Sequence, residues 1–150
     1  MSQLEAGRAY YKALGKLGLT PEGLLWAYDV REEQFRLWLV WSGLDRHGPL
    51  AMSKLLFKAY RSSALPEEID PFTVYIVSPE HMIGKLSRTV NFPLPTGDKP
   101  FHFRIQNSHE DILHHVEPDW VYHFESKRFN TKKVDREWRS FNENVSSLAA

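Results

Sequence analysis

One stretch constrains the chain more than any other: "LLWAYDVREEQFRLWLVWS", residues 24–42. It holds two runs of period-two alternation separated by a short charged turn, Arg31-Glu32-Glu33. Leu24, Trp26, Tyr28 and Val30 share one face of the first run, and Phe35, Leu37, Leu39 and Trp41 share one face of the second. This pattern predicts a β-hairpin. Trp38 and Val40 make the other face of the second strand apolar as well, so the hairpin belongs to a sheet covered on both sides.

The remaining elements must supply that cover. Ser2 and Glu5 form an S-x-x-E capping box for a first helix over 3–17, with Leu4, Tyr11 and Leu14 at helical spacing. Pro49 opens a second helix running to about residue 63, with Met52, Leu55, Leu56, Ala59 and Tyr60 as its apolar stripe and Lys54, Lys58 and Arg61 opposite. "FTVYIV" (72–77), continuously apolar and β-branched, reads as a central buried strand. Ser78-Pro79-Glu80 starts a helix that ends near Arg88, and the proline-rich 91–100 segment reads as a loop. "FHFRIQ" (101–106) and "DWVYHFE" (119–125) alternate as strands; if the segment 109–116 between them is a short helix, Ile112, Leu113 and Val116 point inward. Val134, Trp138, Phe141, Val145 and Leu148 give the last helix, about 131–148, a continuous stripe. The order is α-β-β-α-β-α-β-β-α. It predicts a single α+β domain over 1–150, with one mixed sheet of about five strands and helices packed on it.

Composition bounds the chemistry. With no cysteine, disulfides, thiolate metal sites and a cysteine nucleophile are excluded. Formal net charge is zero, so any attraction for nucleic acid must come from a local patch. "MSQLEAGRAYYK" lacks the basic and apolar regions of a secretory leader, and no run approaches the length of a membrane span; the expected location is cytoplasmic.

The densest collection of chemical groups is "SHEDILHHVEPDWVYHFESK" (108–127), with four histidines and five carboxylates. Strand 101–106 turns Phe101, Phe103 and Ile105 inward and His102, Arg104 and Gln106 outward, while strand 119–125 turns His123 and Glu125 outward. If these two strands paired antiparallel, His102, His123 and Glu125 would share a polar face and could hold a divalent metal with a position open for water. Alternation alone also accounts for that face, and no H-x-x-x-H or H-E-x-x-H spacing supports a metal. Asp119 with Glu125-x-Lys127 has the letters of the E-x-K signature of restriction-type nucleases. Both acids lie on one strand, however, where such sites draw them from adjacent strands. A second cluster, Lys127, Arg128, Lys132, Lys133, Arg136 and Arg139 around Phe129 and Trp138, is the candidate patch for nucleic acid or a partner. "SGLDRHG" (42–48) sits between a strand and a helix but has too few glycines for a phosphate cradle.

The leading expectation is a small accessory domain without a cofactor, acting by binding a protein partner or by self-association. The alternatives are a metal-dependent hydrolase or nuclease using His102, His123 and Glu125, and nucleic-acid binding through the C-terminal basic patch.

Overall fold

The computed structural model describes residues 2–78, 99–106, 111–125 and 130–148. The expected helix over 79–88 and the 91–98 part of the proline-rich loop lie outside them. The architecture is α+β: a mixed sheet of six strands with helices packed against it.

Helix α1 (Gln3–Lys16) starts where the capping box predicts, with Ser2 Oγ accepting from the Glu5 N–H at 3.1 Å. Its buried stripe is Ala6, Tyr10 and Leu14; Leu4, counted with that stripe in the sequence, is exposed. Strands β1 (Gly23–Asp29) and β2 (Gln34–Val40) form the hairpin, in register from Gly23 opposite Val40 to Asp29 opposite Gln34. A one-turn helix α2 (Leu44–His47) leads into α3 (Pro49–Arg61), which begins at Pro49 and buries Met52, Leu56 and Ala59. Strand β3 (Val74–Val77) then runs parallel to β2, as a strand–helix–strand unit requires.

Strand β4 (Phe101–Gln106) pairs with β5 (Asp111–Val116), and β5 pairs with β1. After a 3-10 turn at Pro118–Trp120, β6 (Val121–Phe124) pairs with the other end of the same edge of β1. β5 and β6 are therefore two halves of one interrupted strand along β1. Helix α4 (Thr131–Ser146) closes the chain, with Val134, Phe141 and Val145 buried as the stripe predicts.

Two expectations are corrected. Residues 111–116 are a strand, not a helix. Apolar residues at 112, 113 and 116 fit a helical face, but pairing with β1 and β4 satisfies the backbone and buries His114 and Val116 together. Among the described strands β3 is not central: the order β3-β2-β1-β5-β4 puts it at an edge, with Tyr75 37% exposed and Phe72, in the turn before it, 78% exposed. Hydrophobicity reports burial on average and carries no information about which neighbours a strand acquires.

Each face of the sheet has its own core. Leu24, Trp26, Leu37 and Leu39 meet the stripes of α1, α3 and α4. On the opposite face Leu25, Ala27, Trp38, Val40, Phe103 and Val116 form a second cluster, the two-sided burial that Trp38 and Val40 predict.

Candidate functional site

The second face changes character at the Asp29 end of the hairpin. Leu25 and Ala27 give way to Asp29 on β1, and Val40 and Trp38 give way to Arg36 on β2; β5 adds His114, directly opposite Asp29. These three polar groups border a cleft of about 560 Å³ whose other walls include Trp38, Tyr75 and Val77. That volume is in the range of ligand pockets.

Asp29 is buried and almost fully used. Its Oδ1 accepts from the backbone N–H of Arg31 (3.0 Å) and Glu32 (2.9 Å), which fixes the hairpin turn. Its Oδ2 accepts from Arg36 Nε at 3.4 Å. The Arg36 guanidinium sits 4.5 Å above the Tyr75 ring, and its remaining N–H groups have no hydrogen-bond partner among the described residues.

His114 is 2% exposed, stacked on Phe103 at 4.9 Å and edge-on to Trp38 at 5.3 Å. Burial pushes its pKa below the ordinary histidine value, against the opposing pull of Asp29, which favours the neutral ring. Its Nδ1 lies 3.3 Å from the Ile112 carbonyl, which can only accept; the single ring proton is therefore on Nδ1. Nε2 is left as a bare acceptor 4.0 Å from the Asp29 carboxylate, with no hydrogen-bond partner among the described residues. In a catalytic triad the carboxylate orients Nδ1–H and leaves Nε2 to the nucleophile. Here the polarity is reversed, and the basic nitrogen points at the acid.

The expected metal set does not converge. His102 stands opposite His115, which stands opposite Tyr28, whereas His123 stands opposite Leu24 and packs 5.7 Å from the Tyr11 ring of α1. Four residues along β1 separate the two positions, roughly 13 Å. His123 and Glu125 do come together, at 3.6 Å, but His102 does not join them. Among the described residues no three His, Asp or Glu side chains are grouped to hold a metal. His102 instead meets His115, with Nε2 2.8 Å from His115 Nδ1, and His115 Nε2 lies 2.7 Å from Glu117 Oε1.

Of the basic cluster, Lys127 and Arg128 lie outside the described residues; Lys132, Lys133, Arg136 and Arg139 are exposed on α4. Lys58 Nζ donates to the Ser146 carbonyl at 3.3 Å, at the opposite end of α4 from Lys132. The "SGLDRHG" connector is engaged in docking α4: Arg46 Nε and His47 Nε2 reach Asp135 Oδ1 at 2.6 and 3.2 Å, and the His47 ring stacks on Trp138 at 4.7 Å. Arg46 holds the Asp135 carboxyl below the usual carboxylate range.

No family model, curated protein or solved structure gives a significant match to this chain. The residues themselves carry the reading. Sequence reasoning did not gather Asp29, Arg36 and His114 into one site, although a signal was present: two polar residues interrupt an otherwise apolar face at the same end of the hairpin.

Proposed function

We propose that the protein is a binding domain that takes up an extended segment of a protein partner along β3. One observation carries this reading: among the described strands β3 is an edge strand, and it borders the cleft that holds Arg36. An edge strand presents unpaired N–H and C=O groups that an added strand can satisfy. Tyr75 and Phe72 offer exposed aromatic surface beside it, which suits an apolar anchor. Arg36 supplies donors that no described residue takes up at the end of the cleft, so the segment should bring a carbonyl or carboxylate oxygen there. Asp29 does not oppose this, because its oxygens are already taken by two backbone N–H groups and by Arg36 itself. The reversed His114–Asp29 arrangement favours binding over acid–base catalysis.

A photo-crosslinking residue replacing Tyr75, with Lys54 on the exposed side of α3 as control, tests the surface in cells that express the protein natively. Peptides from the captured partner are then titrated against purified protein by fluorescence anisotropy. The expected result is an adduct at position 75 absent at 54, with affinity about tenfold weaker in Tyr75→Glu and in Arg36→Gln. Identical adducts at both positions, or undiminished affinity in both variants, would defeat the reading.

A further inference from the structure

We infer that His102 and His115 form a two-imidazole binding site for a divalent first-row transition ion, oriented by Glu117 and separate from the β3 cleft. The β4–β5 register places the two histidines directly opposite one another, so they share a face and the backbone fixes their spacing. Their nearest ring nitrogens, His102 Nε2 and His115 Nδ1, are 2.8 Å apart. Two imidazole nitrogens on one tetrahedral ion, each at 2.0–2.1 Å, sit roughly 3.3 Å apart. The required opening is about half an ångström, within reach of a small rotation of each ring.

The protons are already arranged for this exchange. The Glu117 carboxylate lies 2.7 Å from His115 Nε2 and can only accept; in the neutral His115 ring that bond leaves Nδ1 as a lone pair. His102 must then donate from Nε2 to close the 2.8 Å contact. With His115 in that neutral tautomer, an ion entering between the rings needs only that His102 carry its proton on Nδ1. A carboxylate bonded to the far nitrogen of a ligating histidine is the usual means of fixing ring orientation and raising its basicity.

The surroundings permit access on one side and order on the other. His102 is exposed, on a strand that is at an edge among the described strands, so an ion with its remaining waters can approach. His115 is backed edge-on by Trp120 at 5.6 Å, and Trp120 by Phe35 at 5.1 Å, which limits the ring's freedom. Two nitrogen ligands leave positions for water or a further ligand, and nitrogen donors favour copper, nickel and zinc over magnesium or calcium.

Zinc chloride titrated calorimetrically into the untagged full-length chain tests the site, with imidazole nitrogen NMR as the positional readout. The expected result is one zinc per chain, with the His102 and His115 signals moving and His102 changing tautomer. Binding should disappear in His102→Ala and in His115→Ala and weaken about tenfold in Glu117→Gln. His102→Gln is a second variant that keeps a polar residue on the exposed strand. No binding at millimolar zinc, or one-to-one binding that survives in either His102 variant, would overturn the inference. Neither result bears on the β3 cleft, which shares none of these residues.

Discussion

His114 and Asp29 face one another across neighbouring strands with the imidazole Nε2 4.0 Å from the carboxylate, although the Nδ1–H tautomer gives that nitrogen no proton to offer. The contact is tolerated because Asp29 is committed elsewhere, and it makes several consequences measurable.

Removing the carboxylate should be costly. Asp29→Ala deletes two turn bonds and leaves Arg36, whose side chain is only 14% exposed, without its partner. A loss of about 3 kcal/mol is expected. Asp29→Asn keeps an acceptor for the turn and should lose less. Urea unfolding of both variants checks the order; equal losses would mean that the charge contributes nothing.

Stability should fall in mild acid because of His114. Its folded pKa lies below the unfolded value of about 6.5, so just below that value the unfolded chain binds more protons than the folded one. The stabilising contribution is complete above the unfolded pKa and is lost as pH falls toward the folded pKa. Asp29 and Arg36 are the charged groups that act on the ring, in opposite directions. In His114→Phe, which keeps the stack on Phe103, the melting temperature should fall less steeply between pH 7 and pH 5 than in the parent, a window set by the reference value. NMR titration of the His114 ring gives the direct check.

Gly7 is predicted to be irreplaceable even by the best helix former. A Cβ there would run into the Tyr122 ring, whose hydroxyl donates to the Leu4 carbonyl at 2.7 Å and accepts from Trp26 Nε1 at 2.9 Å. Gly7→Ala should therefore destabilise by about 2 kcal/mol despite the gain in helix propensity. Tyr122→Phe should cost about 1–3 kcal/mol by leaving the indole N–H of buried Trp26 unpaired. Thermal melts of the two variants distinguish these effects from a neutral helix surface.

Two apolar residues in the predicted helical stripes should behave very differently. Phe141 is fully buried, and Phe141→Ala should cost about 3–5 kcal/mol; Leu4 is 38% exposed, and Leu4→Ala should cost less than about 1 kcal/mol. Comparable losses in chemical denaturation would contradict the packing described for α1.

The elements that were legible share one property: their signals are local. The hairpin shows itself in alternation because strand residues point to opposite faces in turn, and α4 shows itself in the spacing of Val134, Phe141 and Val145. The capping of α1 by Ser2 and the start of α3 at Pro49 are likewise properties of a few consecutive residues. "DILHHV" hides its strand because apolar groups at 112, 113 and 116 fit one face of a helix, whereas a strand divides them between its two faces. Only hydrogen bonds to β1 and β4, far away in the chain, select the strand.

The sequence by itself determined the α+β class, the hairpin with its two apolar faces, the helical stripes and the outward direction of His102. Tertiary structure alone decided strand order and register. These placed β3 at an edge among the described strands, set His102 against His115 instead of His123, and brought Asp29, Arg36 and His114 to one cleft. The physical reason is that period and propensity specify which way a side chain points, whereas which strand lies beside it follows from minimising exposed apolar surface over the whole chain. A one-residue change of register would turn His115 away from His102 without altering any local pattern.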